Sequence, residues 1–330
     1  MLRLVAFGLL STAVLGQYAP PPSSNPLDWR VPAKTVVQFP PEVWIENIAI
    51  RKNGHILLNQ ALPKAALLEI ANPIDPSPYA RVVHEFPSLS GLFGITENSP
   101  DSFVVIGSKF ATVGQNYPGS TETWAINFNS GGNGPSVRRI GRHPQMVFPN
   151  GLCSLPGVDD VVLVADSTLG LVWRLYLESG KTEVAIKVPE MALHPGQLKI
   201  GINGIKVVNG YLWFSNSYAG EIWRIPIDKL GNRRGNAELV TRHEDNFIDD
   251  FAVDERGIWG ATNGNSTLMY APVNGGGPYD IAGGPDLSAD TSCAFARTPP
   301  YEKMLFVATG NVANKGRGGR VVAVDTSGVY

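Results

Sequence analysis

The sequence predicts an all-β fold, a six-bladed β-propeller with four-stranded antiparallel blades. Three observations carry this. Blocks of one design recur roughly every 44 to 57 residues. Each block is a short apolar strand, a turn and a second apolar strand. Gly and Pro, 36 and 26 of 330 residues, punctuate the chain too densely for a helical bundle and follow no collagen period. A two-sheet sandwich does not repeat at this period.

The blocks run in order. Glu46-Asn-Ile-Ala-Ile to Leu58 opens the first, and Phe93-Gly-Ile with Ser102 to Ser108 the second. Asn150-Gly-Leu with Val161 to Ser167 is the third, and Asn203-Gly-Ile to Asn216 the fourth. Asp249-Asp-Phe to Thr262 is the fifth, and Cys293-Ala-Phe with Met304 to Thr309 the sixth. A third strand follows in each, for example Leu67 to Ile70 or Gly220 to Ile225, and weaker fourth strands such as Arg81 to Phe86 come next. Asn53-Gly54 and Asn209-Gly210 read as hairpin turns that need φ > 0. The sixth unit lacks an outer strand, which Thr35 to Phe39 supplies to close the ring.

Upstream of this domain (35–330), residues 1–17 have a basic start, a short apolar core and small residues, the pattern of a secretory signal peptide. Residues 18–34 form a Pro-rich linker. The expected destination is the secretory pathway or the extracellular space, and Asn265-Ser-Thr is a glycosylation sequon. No stretch is apolar for long enough to form a stable membrane span. Lys+Arg 27 against Asp+Glu 29 leaves no basic footprint for nucleic acid, and 43% hydrophobic residues exclude a disordered chain.

In a propeller, the first strand of each blade lines the central channel. The leading column reads Glu46, Phe93, Asn150, Asn203, Asp249 and Cys293. The second strands end in polar residues, among them Ser108, Asp166, Asn216 and Asn263. Asn and Asp often only cap strand starts, but convergent polar groups at a channel mouth are the pattern of a small-molecule site. Cys153 and Cys293 fall in opposite blades, too far apart for a disulfide, and are expected to be free thiols. No Gly-x-Ser-x-Gly elbow and no histidine pair at zinc-ligand spacing occurs. Trp173, Trp213, Trp223 and Trp259 fall on blade strands as expected core.

At Pro149-Asn-Gly-Leu152, Val164-Ala-Asp-Ser167, Glu46-Asn-Ile-Ala and Asn203-Gly-Ile the chain resembles the gluconolactonase/regucalcin-like propeller superfamily. The lactonase branch implies calcium or another divalent cation, held by a Glu in blade one, an Asn in blade three and an Asp in blade four. Glu46 and Asn150 match, Asn203 stands where the acid is expected, and Asp249 lies one blade further. The same starts, with the opening Pro-Glu-x-Trp-Ile-Glu-Asn-Ile-Ala-Ile, also resemble secreted fungal propellers of secondary metabolism, some of them hetero-Diels–Alderases.

That second resemblance implies a cyclase acting on a polyketide-derived o-quinone methide and a terpene, with no cofactor required. Glu46, Asn150, Asn203 and Asp249 would be catalytic, and Phe93, Ser108, Asp166, Asn216, Asn263 and Phe295 would bind substrate. Glu46 or Asp249 would remove water from an alcohol precursor, the amides would donate to the heterodiene carbonyl, and Phe93 and Phe295 would be apolar walls. The alternatives are a metal-dependent lactone hydrolase, with Glu46, Asn150, Asn203 and Asp249 as ligands, and a non-catalytic secreted binding propeller.

Overall fold

The computed structural model describes residues 31–329 except 113, 132–133, 195–198, 245–246 and 312–315. The expected signal peptide and most of the linker lie outside the described residues. The strand β1 (Ala33–Gln38) begins the fold. Blade one is β2 (Trp44–Ile50), β3 (Ile56–Leu62), β4 (Ala66–Ile70) and β5 (Ala80–Glu85). Blade two is β6 (Gly91–Ser99), β7 (Ser102–Ser108), β8 (Glu122–Asn127) and β9 (Ser136–Arg142). Blade three is β10 (Pro149–Leu155), β11 (Val158–Asp166), β12 (Leu171–Tyr176) and β13 (Thr182–Ile186). Blade four is β14 (Ile202–Val208), β15 (Tyr211–Asn216), β16 (Glu221–Pro226) and β17 (Glu238–Arg242). Blade five is β18 (Phe251–Val253), β19 (Gly257–Ala261), β20 (Thr267–Pro272) and β21 (Tyr279–Gly283). Blade six is β22 (Asp290–Phe295), β23 (Met304–Thr309) and β24 (Arg320–Asp325).

Every blade is a four-stranded antiparallel meander, and β1 completes the sixth by pairing with β24, Ala33 opposite Val324 and Gln38 opposite Arg320. The apolar residues of successive blades interdigitate. Ile202, Ile205 and Phe214 of blade four pack with Leu163, Val172 and Met191 from blade three, and Val43 and Ile45 pack with Phe306 and Val321 of blade six. Trp173, Trp213, Trp223 and Trp259 lie in or against these inter-blade clusters, as expected. Both cysteines are buried free thiols.

Two local readings change. Asn209 and Gly210 both adopt positive φ, as expected of the hairpin turn, but at 53–54 only Gly54 does, because the chain there forms a longer loop bonded between Arg51 and His55. In blade six the strand begins at Asp290, and Asp290 pairs with Thr309 as Pro149 pairs with Asp166. That register puts Thr291 in the leading column and Cys293 two residues deeper, against the Trp259 carbonyl oxygen at 3.2 Å.

The inner strands share one irregularity. Between the pairs Ile45↔Gln60 and Asn47↔Asn59, Glu46 is an extra residue. The same one-residue excess occurs at Phe93/Gly94, Asn150/Gly151, Asn203/Gly204 and Thr291. In blade five, Asp249 and Asp250 both bond to Ala261, N–H to carbonyl and carbonyl to N–H. A bulge of this kind bends the strand and re-aims the side chain it inserts. Here it turns the leading residues of blades one, three, four and five, Glu46, Asn150, Asn203 and Asp249, toward a common cavity.

The glycine after the leading residue lets neighbouring inner strands meet. A Cβ on Gly94 would lie 2.4 Å from the Asn150 carbonyl oxygen, and one on Gly151 2.4 Å from that of Asn203. The Asn-Gly repeat is thus a packing requirement as well as a source of polar groups.

Candidate functional site

The bulges of four blades converge at the channel mouth on a small cavity of about 20 Å³, open on one side. Glu46, Asn150, Asn203, Asp249 and Asn263 line it together with Trp44, Phe148, Ile200 and Phe247. Four residues placed in separate blades by the sequence therefore share one wall.

The polar groups are wired to each other. The Trp44 indole N–H donates to the Glu46 carboxylate. Asn203 Nδ2 donates to Asp249 Oδ1 at 2.6 Å and to Ser217 Oγ at 3.0 Å. Asn263, held at φ +52°, donates to Asp249 Oδ2 at 2.8 Å. Burial raises the Glu46 carboxyl to about 7; the Trp44 hydrogen bond draws it down and the Asp250 charge pushes it up again. Burial likewise holds Asp249 well above the usual carboxylate range, and the charge of Glu46 adds to this against the Asn263 bond. The site is a buried acid pair with an aromatic rim, poised to hold a proton near neutral pH.

The remaining expected binding residues are placed differently. Phe93 is one ring behind the wall, its centroid 5.4 Å from that of Phe148. Asp166 accepts N–H bonds from Val147, Phe148 and Leu169 and from the Trp173 indole, so it touches the site only by pinning Phe148. Ser108 accepts from Asn116, and Asn216 donates to the Glu190 and Ala192 carbonyls, so both serve loops outside the cavity lining. Phe295 ends β22 far from the mouth and packs on Trp259 and Arg256, because its strand runs away from the cavity. Asn265 is exposed in the hairpin two residues beyond Asn263.

The aromatic lining escaped the sequence reading, although a signal existed. Trp44, Phe148 and Phe247 each stand two residues before a leading polar residue, at Glu46, Asn150 and Asp249. A period of two puts such pairs on one side of an extended chain.

The donor set does not form a cation cage. Asn203 and Asn263 turn N–H groups, not oxygens, toward Asp249, and Trp44 engages Glu46. A hard cation needs several such oxygens free. Among the described residues no group of three or more His, Cys, Asp or Glu could hold a metal ion.

No protein-family model matches the chain. Two fungal proteins resemble it over most of its length. One, from Sarocladium schorii and named "Putative hetero-Diels-Alderase asR5", is 29% identical across 91% of this chain and 85% of its own. The other, from a Phoma species and named "Putative hetero-Diels-Alderase", is 28% identical across 89% and 90%. Among solved structures, a luciferin-regenerating enzyme superposes with TM-score 0.65 at 14% identity, covering 90% of this chain and 96% of that one. The calcium-binding protein regucalcin of Agrobacterium tumefaciens superposes with TM-score 0.60 at 14% identity, covering 89% and 95%. These two share the propeller fold with the chain.

Proposed function

We propose that the chain is a cyclase of secondary metabolism that couples an o-quinone methide to an alkene by hetero-Diels–Alder addition. The observation that carries this is the cavity itself. It combines one acid near neutrality, a second carboxyl raised by burial, amide donors and an aromatic rim in one partly closed pocket. Its likeness to the two fungal proteins supports the same reading.

The chemistry divides between residues. Glu46 protonates the leaving hydroxyl of a benzylic alcohol, the phenolic proton passes to solvent, and solvent returns a proton to Glu46. The C–O bond breaks, water leaves, and the o-quinone methide remains. The cycloaddition then forms one C–C and one C–O bond with no net gain or loss of protons or electrons. Holding the two partners at near-attack distance removes much of the entropic barrier. Asn150 and the second N–H of Asn263 can donate to the heterodiene oxygen, where charge grows in the transition state. Both N–H groups of Asn203 are spent on Asp249 and Ser217, so it orients Asp249 instead. Trp44, Phe148, Ile200 and Phe247 supply the apolar wall and exclude water that would quench the intermediate.

Purified protein incubated with a benzylic-alcohol precursor and an alkene should change the product ratio and stereochemistry relative to buffer. A ratio and stereochemistry identical to buffer reject the reading. Chelation should leave the product unchanged; loss of activity with a stoichiometric divalent ion removed would instead support lactone hydrolysis.

A further inference from the structure

At each bulge a second residue follows the leading one. In blades two, three and four the second is glycine, at Gly94, Gly151 and Gly204. In blades one and five it carries a side chain, Asn47 and Asp250. These two meet across the ring although blade six separates their blades, with Asn47 Nδ2 3.3 Å from Asp250 Oδ2. Lys206 of blade four closes on the other oxygen of Asp250 at 2.5 Å, and the Phe251 N–H donates to it at 2.8 Å. Gly204 makes the approach possible, since a Cβ there would fall 2.2 Å from Asp250 Oδ1. Asn47 and Asp250 are nearly fully buried, and Asn47 Oδ1 is itself held by the Ile48 N–H at 2.9 Å.

We infer that Asn47, Asp250 and Lys206 form a cross-channel brace that stands behind the cavity wall and sets the spacing of Glu46 and Asp249. Each acid is the chain neighbour of a brace residue, so the brace fixes where both backbones stand. The brace residues are positioning residues. Their importance for turnover rests on the cyclase reading, but their effect on the acid pair does not. The charged and titratable groups around that pair are Glu46, Asp249, Asp250 and Lys206. Cys153 and Cys293 also feel Lys206 and Asp250, but burial pushes Cys153 up to about 12 and Cys293 higher, so both remain thiols.

The test needs no substrate. In full-length protein labelled with 15N-tryptophan, the Trp44 indole resonance, assigned by its loss in Trp44→Phe, should titrate with Glu46. Asn47→Gly gives blade one the residue that three other blades already have, so it is expected to fold. Removing the buried Asn47 side chain lets water reach Glu46 from behind, and the Glu46 midpoint should fall by on the order of one pH unit. Asp250→Asn removes a nearby negative charge and should lower it likewise, whereas Lys206→Arg should retain the wild-type midpoint. The product side is a higher proportion of water-quenched precursor in Asn47→Gly. If Asn47→Gly and Asp250→Asn leave the midpoint where it was, the brace does not govern the acid pair and the inference falls. If the midpoints move but wild-type protein performs no cycloaddition, the brace stands and the functional reading fails.

Discussion

At the scale of single residues, Glu46 concentrates the chemistry. Its carboxyl sits at about 7 chiefly because burial disfavours the anion. If its proton drives loss of hydroxide, the rate of that step falls as pH rises through about 7. Glu46→Gln cannot give the proton and should lose on the order of 10²-fold in turnover. The same shift acts on stability with a definite sign. The native state binds this proton more tightly than the unfolded chain. Its contribution is therefore full below the ordinary carboxylate range and is lost as pH rises through about 7. Gln mimics the protonated form at every pH. Glu46→Gln should thus melt higher than wild type at pH 8, by an amount bounded on the order of 3 kcal/mol, and the difference should vanish near pH 4. A variant that is inactive but no more stable at pH 8 would show that the wild-type carboxyl is not strained by burial. That Glu46, Asn150, Asn203 and Asp249 would meet was legible in the sequence, because the repeat alone fixes which strand ends surround the axis. Their hydrogen-bond partners were not, since a one-dimensional pattern does not say that Asn203 spends its donors on Asp249 and Ser217.

At the scale of elements, the bulge explains both what the sequence revealed and what it concealed. Strand positions were readable from alternating apolar residues, and the third strand of blade one, expected at 67–70, is Ala66–Ile70. An extra residue leaves no such mark. The column slipped by two in blade six, where Cys293 was expected and Thr291 stands. Thr291 instead ties blades together, its hydroxyl donating to the Ile45 carbonyl at 2.9 Å. The Asn-Gly pairs were read for their asparagines, yet the glycines set the geometry. Gly151→Ala would drive a methyl into the Asn203 carbonyl and the Ile205 nitrogen of the next blade, which are backbone and cannot swing aside. The predicted cost is roughly 1–3 kcal/mol, seen as a lower melting temperature. Because the clash falls on the strand carrying Asn203, product stereochemistry should erode as well. Gly210→Ala is the control in open space: there the positive φ alone weakens the turn, and the site should not respond.

At the scale of the whole molecule, the ring holds the site only while it is closed. The closure was legible because the sixth unit lacked a strand and an apolar stretch before the first unit could fill the gap. β1 does so, one or two residues earlier than its hydrophobic pattern suggested, because the backbone pairing extends to Ala33 beyond the apolar run. Gln38 reinforces the seam, its amide donating to the Phe39, Gly318 and Gly319 carbonyls, and Val36, Val37 and Phe39 pack against the core of blades one and six. Deleting residues 1–38 would leave β24 as an open edge and expose that apolar strip. The seam lies within blade six, and β1 leads directly into blade one, which carries Glu46 and Asn47, so loosening it should be felt at the acid pair before the remote blades unfold. The deletion is therefore expected to lower the melting temperature, to promote association through the free edge, and to shift the Trp44 indole resonance in protein that is still folded. A peptide of residues 31–39 added in trans should pair with β24 and reverse all three changes. A truncated chain that melts and titrates like the full one would mean that inter-blade packing alone maintains the ring and that β1 is dispensable to the site.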